Sequence, residues 1–143
     1  RARETAADLG VRSGVEVEID ERWIELDYGP LDLRPVGVDL PGDVLARWRD
    51  DPAFAPPGVE TAASVSARVA GACDELVDRA ASSVVVVVSH VSPIKAAIGW
   101  ALGTDPVGLS LAGRLFVEDA AVSRIDVVDG RPVVRWFNRL GDR

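Results

Sequence analysis

Val84 to Lys95 reads VVVVVSHVSPIK, and within it five consecutive valines run into Ser89 and His90, the only histidine of the chain. A short all-β-branched run bounded by polar residues has the pattern of a strand buried on both faces, as in the centre of a parallel sheet. Pro93 follows at a position where a first-turn proline is tolerated, and Ile94 to Leu102 continues as an apolar helix. The stretch therefore predicts an imidazole at the carboxyl end of a central parallel strand, beside a helix amino terminus. Open α/β sheets bind ligands along that edge, and helix amino termini favour anions there.

Composition narrows the classes. The chain has 143 residues, 48% of them hydrophobic, enough for one sizeable core. Its net charge of −7 disfavours nucleic acid and anionic membrane as partners, so any bound anion has to be met by a local cluster. No apolar run approaches a membrane-spanning length, and no signal peptide is visible. The single cysteine, Cys73, cannot form an internal disulfide; it fits a reducing, cytoplasmic setting and sits where a helix would bury it. No cluster of His, Cys and carboxylate residues suggests a metal, and no cofactor is implied.

Elements alternate as in an α/β domain. Ala2 to Leu9 reads as a helix stopped by Gly10. Val15 to Ile19 alternates apolar and acidic residues, a short strand with one exposed face. Asp20 to Pro41 reads as an active-site loop, Asp43 to Arg49 as a short helix with Leu45 and Trp48 on one face, and the proline-rich Asp51 to Gly58 as loop. Thr61 is placed to cap a long helix reaching Ala81, whose Val65, Val69, Ala72, Cys73, Leu76 and Val77 recur at helical spacing. Asp105 to Ala112 reads as one more helical turn. Ala121–Val128 and Pro132–Phe137 flank Asp129-Gly130-Arg131, a hairpin signal. Nothing repeats and no linker divides the chain, so residues 1–143 read as one domain.

Four segments in order carry a resemblance: Arg1-Ala2-Arg3-Glu4-Thr5-Ala6, Trp23-Ile24-Glu25-Leu26-Asp27-Tyr28-Gly29, Pro57-Gly58-Val59-Glu60-Thr61 and Ser89-His90. Together they resemble the histidine phosphatase, or phosphoglycerate mutase-like, superfamily. Its pattern runs R-H-G, then R-A-x-x-T-A, an acidic residue four before Gly, a G-E-S-like turn, a long helix and a valine-rich strand ending in S-H. The resemblance implies a three-layer α/β/α fold with a mostly parallel central sheet. The R-H-G motif, which carries the histidine phosphorylated in that family, has no counterpart in residues 1–143. The chain begins with Arg and contains no Met, and it is expected to be the carboxyl-terminal majority of a larger domain, with the sheet incomplete at its amino terminus.

By that resemblance the chemistry is phosphomonoester hydrolysis through a phosphohistidine. A neutral imidazole attacks phosphorus, preorganised donors meet the phosphoryl charge, and an acid protonates the departing alkoxide. Arg1 matches the phosphate clamp, a role suited to the planar paired donors of a guanidinium. Glu25 matches the proton donor, where burial among Trp23 and Tyr28 would favour the protonated form; Asp27 is the competing carboxylate. His90 matches the second histidine, donating to the phosphoryl group beside the backbone amide of Val91, where the family usually has Gly. Ser89 is placed to orient the imidazole, and Glu60 and Thr61 match the turn near the substrate. Lys95, one turn further, is expected to face solvent, and Arg3 to be surface.

The short, acidic, proline-rich connection before the long helix resembles the phosphatase branch; mutases carry a longer, basic insertion. The substrate class implied is a small phosphorylated molecule. The S-H-V-S-P-I-K wording resembles phosphatase domains fused to ribonuclease H domains in high-GC bacteria, an analogy that leaves a fusion or a homodimer open. Two alternatives remain: a non-catalytic phosphate- or protein-binding module of the same fold, and a phosphoglycerate mutase-type phosphotransferase. Residues 1–143 alone are expected to be inactive.

Overall fold

The computed structural model describes residues 1–34, 40–104 and 114–141. Four helices, α1 (Ala2–Ser13), α2 (Gly42–Asp50), α3 (Ala62–Ser82) and α4 (Val91–Ala101), precede an antiparallel hairpin of β1 (Val122–Val128) and β2 (Arg131–Arg139). The molecule is thus mixed α/β. A three-layer arrangement around a parallel sheet is not what the described residues form, because their one sheet is this two-stranded hairpin.

The hairpin forms where the sequence signals it. Asp129 and Gly130 both take positive φ, 51° and 71°, the twist that a two-residue turn needs to match right-handed strands. α3 also begins as expected: the Thr61 hydroxyl accepts from the Ser64 amide at 3.1 Å, satisfying one of the amino-terminal N–H groups that a helix leaves unbonded. α4 starts earlier than the sequence pattern suggests, with His90 as its N-cap and Pro93 in its first turn. Proline fits there because first-turn N–H groups have no partner inside the helix.

α1 runs past Gly10 and ends at Gly14, whose φ of 68° is left-handed. Gly10 is not a helix stop but a point of close approach: a Cβ there would stand 2.7 Å from Val17 Cγ2 and 2.8 Å from the Val15 carbonyl oxygen. The core lies between α3 and α4 and is built from Leu26, Val65, Val69, Cys73, Ala96 and Ala97, flanked by Trp23, Tyr28, Val59, Trp100 and Ile125. Cys73 is buried filler as expected, and burial, with the Asp74 charge beside it, pushes its thiol up to about 12.

Two apolar runs depart from expectation. Val84–Val88 lies between Ser83 and His90, both extended (φ −149° and −124°), yet it joins no ladder among the described residues. Instead of being buried on both faces, Val84 is 90% exposed and Val86 71%. Val15, Val17 and Ile19 are likewise exposed and belong to no strand. The physical reason is common to both. A strand is buried by the strands and helices that flank it, and no strand flanks these runs within the described residues. Asp105–Ala112 lies outside the described residues.

Candidate active site

The loop that carries Glu25 is fastened at several points. Asp20 accepts from the Arg22 amide at 2.9 Å and from the Arg22 guanidinium at 2.8 Å, closing a short turn over Glu21–Trp23. The same guanidinium reaches Glu75 on α3 at 2.7 Å. That side-chain bond to Arg22 holds the Glu75 carboxyl below its usual range, and Arg22 does the same to Asp20 against the opposing effect of burial. The Ser89 hydroxyl donates to the Trp23 carbonyl at 2.7 Å. Ser89 therefore pins the loop to the end of the valine run, where the sequence suggested it would orient the imidazole.

Glu25 turns from this loop onto the first turn of α4. Its Oε1 accepts from the Leu26 amide at 2.8 Å and from the Ser92 amide at 3.2 Å. A helix amino terminus presents unbonded N–H groups and a partial positive charge, so a carboxylate is at home there. Tyr28, bonded to Ser92, faces the same spot; burial raises its phenol and the Glu25 charge raises it further. Lys95 is half-buried instead of facing solvent: desolvation lowers its ammonium, and the neighbouring Glu25 charge opposes that. His90 caps α4 and is half-buried, and Val91 is the first helical residue, 39% exposed. One helix start thus gathers a carboxyl group, an imidazole, a phenol, an ammonium and backbone N–H groups.

Glu60, followed by Thr61, bonds the same loop just past Glu25. The Glu60 amide donates to the Asp27 carbonyl at 2.8 Å, and the Asp27 amide donates to Glu60 Oε2 at 3.2 Å. Glu60 also accepts from Ser64 at 3.0 Å and from Arg68 at 2.9 and 3.0 Å. Burial pushes its carboxyl up, but these donors outweigh it and hold the group below the usual range. Asp27, the competing carboxylate, is spent locally on the Gly29 amide at 2.8 Å. Arg1 stands apart. It is exposed at the N-cap of α1 with its amino group 3.6 Å from Glu4, and no hydrogen bond or ion pair among the described residues joins its side chain to Glu25 or His90. Arg3 is exposed, as expected.

The structure therefore brings Glu25, His90 and Val91 together at the start of α4, sets Glu60 and Thr61 beside the Glu25 loop, and leaves Arg1 separate. Sequence reasoning placed Tyr28 beside Glu25, missed Ser92 and Arg68, and misplaced Lys95. A signal for Arg68 was present, since Ser64 and Arg68 stand four residues apart on one face of the helix that starts just past Glu60. Among the described residues no group of His, Cys, Asp and Glu is placed to hold a metal ion, and no helix is long and apolar enough to cross a membrane.

Residues 1–140 match the model of the histidine phosphatase superfamily, branch 1. A bifunctional protein of Mycobacterium tuberculosis is 29% identical over 99% of the chain, which spans 39% of that relative. Phosphoserine phosphatase 1 of Hydrogenobacter thermophilus is 32% identical over 94% of the chain and 64% of its own length. Among solved structures, mycobacterial glucosyl-3-phosphoglycerate phosphatase superposes with a TM-score of 0.77 at 27% identity, covering 96% of the chain and 71% of its own. A complex of that phosphatase with inorganic phosphate gives 0.75 at the same identity, over 96% of the chain and 72% of its own. The chain spans less than two thirds of the length of these curated relatives.

Proposed function

The chain belongs to the histidine phosphatase superfamily, branch 1, and on that premise we propose that it carries the acid-and-anion half of a phosphomonoester hydrolase working through a phosphohistidine. The observation that carries this reading is the Glu25 carboxyl seated on the Ser92 amide, two residues beyond His90. A carboxyl group and an imidazole at one helix start would supply the acid and the phosphoryl donor that cleavage of a P–O bond to an alkoxide requires.

In this reading a histidine on a segment preceding Arg1 supplies the nucleophile. Its neutral imidazole nitrogen forms the P–N bond as the P–O bond to the leaving group breaks. Glu25 delivers its proton to the departing alkoxide oxygen, and the carboxylate left behind takes a proton from the water that then cleaves the phosphohistidine. His90 and the Val91 amide meet charge on the phosphoryl oxygens, Arg1 clamps them once the site is complete, and Glu60 and Thr61 border the substrate side of the loop. The exposed Val84–Val88 and Val15–Ile19 runs support an upstream strand, because β-branched apolar runs outside any ladder call for a paired neighbour. The relatives' substrates suggest a small phosphorylated hydroxy or amino acid as the class.

The test is turnover of a phosphomonoester by the polypeptide extended upstream, with phosphorus NMR for the phosphohistidine. Activity that survives EDTA and falls by about 10²–10⁴-fold in Glu25→Gln is the expected result, with residues 1–143 alone inactive. Turnover by residues 1–143 that survives His90→Ala would place the chemistry elsewhere. Phosphate binding without turnover in the extended polypeptide would make the chain a binding module.

A further inference from the structure

Arg68 sits on α3, yet its guanidinium reaches three carbonyls of the Glu25 loop. Its Nη1 donates to the Arg22 carbonyl at 2.6 Å and to the Ile24 carbonyl at 2.9 Å. Its Nη2 donates to the Glu25 carbonyl at 3.3 Å and to Glu60 Oε2 at 3.0 Å, and its Nε donates to Glu60 Oε1 at 2.9 Å. The pair is largely withdrawn from water, with the Arg68 side chain 18% and the Glu60 side chain 16% exposed. A guanidinium offers five N–H donors in a fixed fork, and here the fork is filled by one bidentate carboxylate and three carbonyls of one loop.

We propose that Arg68 is the positioning residue for Glu25: its guanidinium, oriented by Glu60, sets the 22–25 backbone so that the Glu25 carboxyl reaches the Ser92 amide at the start of α4. The inference rests on Glu25 being the proton donor. Past the single turn at Glu21–Trp23 the loop backbone has no ladder or helix to fix it, so three carbonyls bonded to one rigid cation fix its path. Glu60 contributes twice. It holds the guanidinium in plane, and through the reciprocal Asp27 bonds it anchors the loop again just past Glu25. The role is one of placement, because Arg68 reaches the backbone of Glu25 and not its carboxyl group. Displacing a catalytic group by about 1 Å can cost about 10²-fold in rate.

Two readouts test this. The first is the pH-dependent proton shift of the Ser92 amide in this chain, which reports a carboxylate hydrogen-bonded to it and is absent in Glu25→Gln. Arg68→Ala and Arg68→Lys are expected to lose most of that shift; lysine carries one compact charge and cannot span three carbonyls and a carboxylate. The second is turnover of para-nitrophenyl phosphate by the polypeptide extended upstream, where kcat in Arg68→Ala should fall about 10²-fold while KM changes little and Arg68→Lys recovers only part. If Arg68→Ala does not fold, Arg68→Lys and Glu60→Gln carry both readouts. A Ser92 shift that persists in the folded variants, with a lowered melting temperature as their only defect, overturns the proposal and makes Arg68 purely structural. If instead Glu25→Gln leaves turnover intact, the assignment of the acid fails, and the positioning role fails with it.

Discussion

The Glu25 loop and the valine run meet at Ser89, yet they are opposites. The loop from Asp20 to Tyr28 has almost no regular structure, and its backbone and carboxylates are tied to α3, α4 and Glu60 by side-chain hydrogen bonds. Leu26 within it is only 5% exposed. The valine run has the stronger intrinsic signal for structure, five β-branched residues in a row, and stands largely in water. The contrast teaches that fixation follows partners and not propensity. A loop with a guanidinium, a serine and two carboxylates around it is held, whereas a strand-forming sequence without a neighbour is not.

The largest effect that would sharpen this contrast is a cavity under the loop. Leu26 packs into the α3–α4 core beside Val65 and Val69. Leu26→Ala should destabilise the chain by about 2–5 kcal/mol, read as a lower urea midpoint with unchanged slope. A loss below about 1 kcal/mol would mean that the loop rests on the core without being part of it.

Next in size is the Glu60–Arg68 pair, and pH gives its sign. The Glu60 carboxyl is held below its usual range in the folded chain. A depressed carboxylate stabilises fully above its unfolded value, near pH 4.3, and loses that contribution as pH falls through the lower folded value. Glu60→Gln should therefore cost stability at neutral pH, about 1.5–3 kcal/mol for a charge-assisted bond, and the gap to the parent should close in acid. Equal differences at pH 7 and pH 3 would show that the charge is not what holds the loop.

A smaller step concerns the start of α3. Removing the Thr61 hydroxyl should cost about 1 kcal/mol, with Thr61→Ser retaining most of it. A loss several times larger would mean that Thr61 also supports the Glu60 turn.

How much could be read in advance divides along the same line. Thr61 as a cap, Cys73 as core, the Asp129-Gly130 turn and the apolar stripe of α3 were legible because each depends on residues within a few positions. The helix after His90 was legible too, though three residues short, because Pro93 marks a first turn without fixing which of its positions it occupies. Gly10 was misread as a stop, since the cause of that glycine is Val17 approaching from outside the helix. Burial of Val84–Val88 depends on neighbours that a local pattern does not contain. Glu25 came from the ordered motifs, but its seat on the Ser92 amide and the Arg68 brace join residues 67 and 43 positions apart, a pairing that no spacing along the chain reveals. Lys95 was placed in solvent for the same reason.

The smallest expected effect is also the one most able to break the comparison. Val86 is 71% exposed, so Val86→Ser in residues 1–143 removes little buried surface and should stay within about 0.5 kcal/mol of the parent. The same substitution in the polypeptide extended upstream should behave differently if a neighbouring strand covers the run, since burying a valine side chain is worth about 1.5–3 kcal/mol. The two measurements together separate the causes. A small effect in both would make the valines a solvent-facing connector and remove the support they lend to an upstream strand. A large effect in both would mean that the run is already covered in residues 1–143, against the exposure seen here. A small effect that becomes large on extension would show that Val84–Val88, as poorly held as the Glu25 loop is well held, lacks nothing but its neighbour.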